Sequence, residues 1–368
     1  MSASRVTVDR QAAKEVFREA IAIAQDLSIS LLTTQWDGAI ATLIQGKHLT
    51  FRYILITALL AKSTNHRINA LALQAGADIE GAYDARSLCH IVVVPLERQL
   101  LNRALGGSNE PFLNKPARFP TISPSNAVRA GTDRQLLLKL YEILSEIVTS
   151  EQAFNALCLA TRYALEKQTA LSQRASQLVI STNSQLKVIE FVEMLTARSL
   201  EGQIAAIVMG AALAVHFDQF AGFEIIVHPV NQSGASSQEV GDIDIKREGQ
   251  LFGTVEVKDK PFSEQDVDHA AFKASQYGLT SITFAIGANG QCIEASSQQI
   301  AQTILVKRGV NVIFIELVSF VKSAIALCPN LTFTTFWEKL RYYAINARVK
   351  DDVFTHMEAV LQAMQVLE

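Results

Sequence analysis

The chain has 368 residues, with 33 Lys plus Arg against 36 Asp plus Glu, for a formal net charge of −3. Hydrophobic residues make up 49% and charged residues only 19%, which supplies a large core and excludes extensive disorder. The near balance of charge excludes a uniformly basic coat for nucleic acid but not a local basic cleft, and the length predicts two domains or one large one.

The opening segment, MSASRVTVDRQAAKEVFREA, lacks the apolar centre of a signal peptide. Apolar residues then recur at three- and four-residue spacing through Ala12–Leu27, Ile54–Leu73 and Leu136–Ile147, which predicts helices. Phe51–Ala61 is apolar nearly all round and predicts a buried helix. Between these helices, Gly106–Gly131 holds Pro111, Pro116, Pro120 and Pro124, four of the eight prolines, and so predicts a long functional or disordered loop. Further helices are predicted at Glu151–Leu165 and Asn183–Leu195.

Near residue 199 the pattern changes. Ser199–Phe217 reads as an apolar helix and Phe223–Pro229 as a strand. Val240–Lys246 and Phe252–Lys258 alternate with period two around a Glu248-Gly249 turn. A polar helix over Ser263–Tyr277, a strand at Ser281–Ile286, a helix at Ser296–Lys307 and a buried strand at Val310–Ile315 follow. Helices over Phe333–Val349 and Asp351–Leu367 complete the chain. This order predicts an α/β (α+β) arrangement with a mixed sheet flanked by helices. Two parts are expected, a mainly helical region over 1–180 and an α/β core with C-terminal helices over 181–368. The apolar stretch Ile204–Val215 is too short to span a bilayer. Cys89, Cys158, Cys292 and Cys328 are far apart and form no zinc-type spacing. A soluble, cytoplasmic protein with reduced thiols and no membrane partner is therefore expected.

The sharpest chemical signal is in the two alternating strands. Gly241-Asp242-Ile243-Asp244-Ile245-Lys246 is followed by Thr254-Val255-Glu256-Val257-Lys258. Alternate residues of a strand share a face, so a hairpin brings Asp242, Asp244, Glu256 and Lys258 together, with Ile and Val anchoring the other face. Strand interiors disfavour Asp, and two in one strand need a function more than a solvated surface does. Clustered carboxylates of this kind suit a hard divalent cation such as Mg²⁺, which activates water and stabilises a phosphodiester under attack. The neighbouring lysine can orient or deprotonate that water. Nucleotide-driven chemistry has no support, since neither a GxxxxGK[ST] nor a GxGxxG motif occurs.

These residues resemble the PD-(D/E)xK nuclease superfamily, with Ile-Asp in place of Pro-Asp. The resemblance implies that Asp244, twelve positions before Glu256, and Glu256 are metal ligands and that Lys258 is the catalytic lysine. Asp242 is a rival ligand, and Glu201, opening a helix at Glu201–Ala214, matches a further glutamate the superfamily often adds. The run GADIEGAYDARSLCH from Gly76 to His90, then Val92–Pro95 and the loop FLNKPARFP, is similar to SacI-family restriction endonucleases. That similarity implies a type II enzyme cutting double-stranded DNA at a short specific sequence with Mg²⁺. It also implies a homodimer and a cognate DNA methyltransferase encoded nearby. A structure-specific or repair nuclease and a non-catalytic DNA-binding module are the alternatives.

From Arg98 to Arg134 six basic residues face two acidic ones, Glu110 and Asp133. Lys115, Arg118, Asn126 and Arg129 in this window are candidate DNA contacts, because Arg and Asn match base edges and Lys matches phosphates. Arg86 is a further candidate, or else an ion-pair partner of Asp84, with Asp84 or Ser87 capping a helix over Leu88–Val94. Gln232, Ser233, Ser236, Ser237 and Gln238 form a polar loop between strands. His216 and His228 read as structural. Gln265, His269, Lys273 and Gln276 share one helix face.

Overall fold

The computed structural model describes residues 5–108, 110–229, 239–293 and 295–367, without the side chains of 171, 172, 175 and 176. The polar loop at 232–238 lies outside the described residues. The chain divides into two compact units, one running to Ala170 and the other holding most of Leu171–Glu368.

The first unit is helical. It contains α1 (Arg10–Gln25), α2 (Asp37–Gln45), α3 (Leu49–Thr64), α4 (Ala85–Leu88), α5 (Val94–Leu100), α6 (Thr132–Glu146) and the start of α7 (Ser150–Ser176), with a π-helical turn at Cys89–Val93 joining α4 to α5. Asp9 starts α1 by accepting from the N–H groups of Gln11 and Ala12 at 2.8 and 2.9 Å. Phe17, Ala20, Ile21 and Ala24 then bury one face. Every residue of α3 from Phe51 to Lys62 is buried, as its uniform apolarity predicts. The charged Arg52 is held there by the carbonyls of Leu105 and Gly46, each at 2.6 Å. Expectation and structure part at the end of α3. The helix stops at Thr64, because the Asn65 side chain accepts the Arg67 N–H at 3.0 Å and turns the chain. The apolar residues up to Leu73 lie in turns instead. Helix α2 also falls outside the predicted elements.

The Gly106–Gly131 segment is irregular, as its prolines demand, but it is packed down. Phe112, Ala117 and Ile122 are buried, and the Ile122 N–H donates to Leu71 O at 2.8 Å while Leu73 N–H donates to Pro120 O at 2.9 Å.

The second unit contains α8 (Gln185–Thr196), a short turn at Leu200–Gly202 and α9 (Gln203–Phe217). Strands β1 (Phe223–Val227), β2 (Ile243–Arg247), β3 (Gln250–Lys258) and β4 (Pro261–Phe262) follow, then α10 (Glu264–Gln276), β5 (Ser281–Ile286) and β6 (Gln291–Cys292). Helix α11 (Ser297–Arg308), β7 (Asn311–Glu316), α12 (Leu317–Leu327), α13 (Phe333–Asn346) and α14 (Asp351–Ala363) complete it. The sheet order is β1-β2-β3-β5-β7. The first three strands are antiparallel, and β3, β5 and β7 are parallel, so the sheet is mixed as predicted. Helix α9 covers one face with α12 and α13, burying Ile225, Ile243, Ile245 and Val255. Val267, Ala271 and Ala274 of α10 with Ile300 and Ile304 of α11 join Ile282, Phe284 and Val312 in a second core.

Central placement explains the composition of α9, whose residues Gln203–Val215 are all buried. The helical run Leu200–Phe217 is 18 residues and apolar enough to cross a membrane by length and composition, longer than the stretch Ile204–Val215 noted in the sequence. Its burial under the sheet accounts for that apolarity. Helix α12 was also unanticipated, since its apolar run continues directly from β7. Glu316 separates the two by accepting from the N–H groups of Val318 and Ser319 at 3.0 and 2.6 Å.

Candidate active site

Strands β2 and β3 join through Glu248 and Gly249, both with positive φ (53° and 78°), the two-residue turn that suits the right-handed strand twist. Ile243 faces Val255 and Asp244 faces Thr254, with a bulge between Ile245 and Lys246. Ile243 and Val255 go into the α9 core, so Thr254, Glu256 and Lys258 share the opposite face.

Asp242 stands one residue ahead of β2. Its carbonyl accepts from the His228 N–H at 2.8 Å, and its carboxylate Oδ2 accepts from the Val257 N–H at 2.8 Å, which aims the side chain at β3. Lys258 Nζ donates to Glu256 Oε1 at 2.7 Å. Burial, and then the adjacent Glu256 charge, push the Asp242 carboxyl up to about 7, against the Val257 bond and the charges of Lys258 and Lys273. Burial opposes the charge on Lys258, but Glu256 first and Asp242 after it more than offset this, so the ammonium is held above its ordinary range. The charged face lies on the side of α10, whose Lys273 acts on Asp242 and whose Asp266 acts on Lys258. Two carboxylates and an ammonium thus meet on a sheet surface, and among the described residues neither acid has a second cation at contact distance.

Residues 12–168 match the family model of the SacI restriction endonuclease N-terminal domain, and residues 180–288 match that of the SacI restriction endonuclease C-terminal domain. The type II restriction enzyme SacI of Streptomyces achromogenes is 22% identical over 289 residues, covering 77% of each chain. The chain belongs to the SacI restriction endonuclease family. As a member it is a type II site-specific endonuclease, an enzyme class that acts on DNA and generally uses a divalent metal ion. The matched C-terminal region contains the whole β2–β3 hairpin.

Within this SacI-family chain, Asp244 lies opposite Thr254, two positions before Glu256 on β3. Asp244 is 3% exposed and its carboxylate is filled by protein donors: His228 Nε2 (2.9 Å) and Val240 N (3.2 Å) at Oδ2, Thr254 Oγ1 (2.9 Å) and Gly241 N (3.3 Å) at Oδ1. Burial would raise its pKa, but His228 and the other donors hold it below the ordinary carboxylate range. The spacing to Glu256 favours Asp244 in the sequence, while in the structure its carboxylate is taken up by these four protein donors. The acid brought against Glu256 and Lys258 is Asp242.

Glu201 is also displaced from its expected position. Glu201 and Gly202 have positive φ (63° and 80°), so α9 starts only at Gln203 and Glu201 lies in the preceding turn. That side chain is 55% exposed and pairs with Lys350 at 2.5 Å. Its turn is nevertheless tied to the site's edge, since Ser199 Oγ donates to Asp259 O at 3.0 Å. Asp259 itself is buried and accepts from Asn289 N at 3.0 Å, fastening the loop after β5 beside Lys258. Sequence reasoning missed the roles of Asp259 and of Glu239, which lies 3.6 Å from His228 Nδ1. The one signal for Asp259 is its position directly after Lys258.

In the N-terminal family domain, Lys115, Arg118 and Arg129 are exposed, with Lys115 Nζ 5.7 Å from the Phe119 ring centre. Arg86 pairs with Glu110 at 3.3 Å rather than with Asp84, which caps α4 through the Ser87 N–H at 3.0 Å. Asn126 is 9% exposed and its side-chain oxygen accepts the Ser123 N–H at 3.0 Å. That bond closes a turn at Ser123–Asn126.

Proposed function

We propose that this SacI-family enzyme hydrolyses phosphodiester bonds of double-stranded DNA at a short specific sequence, using Mg²⁺ and leaving 5′-phosphate and 3′-hydroxyl ends. The convergence of Asp242, Glu256 and Lys258 on one sheet face carries this reading. The order of one antiparallel hairpin, a helix and a parallel strand supports a PD-(D/E)xK core. Among the described residues no three His, Cys, Asp or Glu side chains gather closely enough to cage an ion by themselves. Mg²⁺ does not need such a cage, because it keeps waters and is commonly held by one or two carboxylates together with substrate phosphate. Asp242 and Glu256 fit that donor set: burial and mutual repulsion leave the pair short of positive charge.

When bound, the ion supplies an activated water and offsets charge on the phosphate oxygens. The chain's residues do the rest. Val257 N–H holds one Asp242 oxygen and Lys258 holds one Glu256 oxygen, which keeps the two acids facing each other. Lys258 is held as an ammonium by Glu256 and Asp242 in the metal-free protein, which suits it to orienting water and stabilising developing negative charge. DNA is met by the exposed Lys115, Arg118 and Arg129, with Arg86 beside Glu110. A homodimer would present two such sites to the two strands, and a methyltransferase encoded nearby would protect the host's own DNA.

The test is plasmid digestion. Asp242→Asn and Glu256→Gln should each lower Mg²⁺-dependent cleavage by about 10³-fold or more, the effect of losing several kcal/mol of charge stabilisation. The wild type should give discrete, reproducible bands. A fully active Asp242→Asn protein takes Asp242 out of the site, a fully active Glu256→Gln protein removes the site from this hairpin, and smearing or supercoil-only cutting favours a structure-specific nuclease.

A further inference from the structure

Asp244 is filled so completely that its function must lie in what it holds. A carboxylate offers about four acceptor positions. All are used, and the donors come from three separate stretches: His228 after β1, Val240 and Gly241 ahead of β2, and Thr254 on β3. Those stretches surround Asp242. Gly241 is the residue before it, and its backbone passes so near β3 that a Cβ there would lie 2.4 Å from Thr254 Oγ1 and 2.9 Å from Val255 O. His228 touches both aspartates, giving its backbone N–H to Asp242 O at 2.8 Å and its imidazole to Asp244 at 2.9 Å. Glu239, 3.6 Å from Nδ1, steadies the other side of the ring.

From this geometry we infer that His228 and Asp244 are positioning residues, a clamp of a half-buried imidazole on a buried carboxylate that together fix the Val240–Gly241 backbone and so set where the Asp242 carboxylate meets Glu256. The inference rests on the reading of Asp242 as the acid that serves the reaction. It separates two aspartates that are alike in the sequence: one faces the reaction, and its neighbour two positions on faces the protein. Loosening the clamp lets Asp242 move relative to Glu256. The weakened property is then the hold on the metal ion, while the DNA-binding surface of the first unit is untouched.

The experiment compares His228→Ala, His228→Gln, Asp244→Asn and Asp242→Asn with the wild type. Amide hydrogen exchange at Val240 and Gly241 is followed in the metal-free protein, alongside plasmid cleavage over a Mg²⁺ titration and thermal melting. His228→Ala and Asp244→Asn should speed exchange at both amides at least tenfold and raise the half-maximal Mg²⁺ concentration at least tenfold. His228→Gln, whose amide nitrogen can replace Nε2 as a donor, should recover most of both losses. Wild-type exchange and an unchanged Mg²⁺ midpoint in His228→Ala and Asp244→Asn, with Asp242→Asn inactive, would overturn the clamp and leave the active-site reading standing. If His228→Ala does not fold, Asp244→Asn decides by the same two measurements. An Asp244→Asn protein dead at every Mg²⁺ concentration beside an active Asp242→Asn protein would overturn both, because the reacting acid would then be Asp244.

Discussion

At the residue scale, the proposed chemistry concentrates on Asp242. Its folded-state pKa of about 7 exceeds the ordinary 3.8, so the folded protein holds that proton more tightly than the unfolded chain. The sign is destabilising: the metal-free fold loses stability as pH rises from about 4 to 7, and carries the full penalty above that. Asp242→Asn removes the penalty. Its metal-free melting temperature should therefore exceed the wild type's by a few degrees at pH 8 and equal it near pH 4. The same proton competes with metal. The Mg²⁺ concentration for half-maximal cleavage should rise about tenfold for each pH unit below 7 and be level above it. Metal titrations at pH 6, 7 and 8 check this, and a midpoint independent of pH would detach metal binding from Asp242.

The β2–β3 hairpin decides the site's geometry at the element scale. Its existence and shared face were legible because they are local: period-two alternation, a Glu248-Gly249 turn, and Val and Ile on the far side. The choice between Asp242 and Asp244 was not legible, since residues two apart in a strand point the same way. What distinguishes the two in the structure is that His228, sixteen positions back, and Thr254 across the ladder both bond Asp244. Gly241→Ala tests how tightly the hairpin is drawn. The added methyl collides with backbone at Val255 O as well as with the Thr254 hydroxyl, so it cannot be accommodated by a side-chain rotation. Cleavage should drop at least tenfold with wild-type far-UV circular dichroism, and full activity would mean the Gly241 backbone can shift without moving Asp242. Similar logic governs the overrun of α3. Periodicity continues past Thr64, but one Asn65 side-chain hydrogen bond outcompetes another helical turn.

Charge is divided across the whole molecule in a way its net value of −3 conceals. Acids meet at the hairpin of the second unit, and a basic surplus lies at 98–134 in the first. The proline-rich loop there is held by buried Phe112, Ala117 and Ile122, which leaves Arg118 and Arg129 exposed on a constrained backbone. Arg118→Ala and Arg129→Ala should each weaken DNA binding and flatten the slope of log affinity against log salt by about 1, as loss of one phosphate contact does. Fluorescence anisotropy on duplex DNA in Ca²⁺ at several salt concentrations measures it. Unchanged slopes in both variants would take the loop out of the interface. Asn126→Ala, by contrast, should lower thermal stability, because its side chain closes a turn.

The sequence alone determined the mixed sheet between helices, the helical first region and the acidic hairpin with its lysine, because each follows from a short-range period or from residues adjacent in the chain. Only the tertiary structure decided that Asp244 is taken up by four protein donors, that Glu201 turns to Lys350, and that Asn126 is buried. Those outcomes depend on partners brought together from distant positions. A side chain's free or occupied lone pairs are set by three-dimensional neighbours that no spacing rule records.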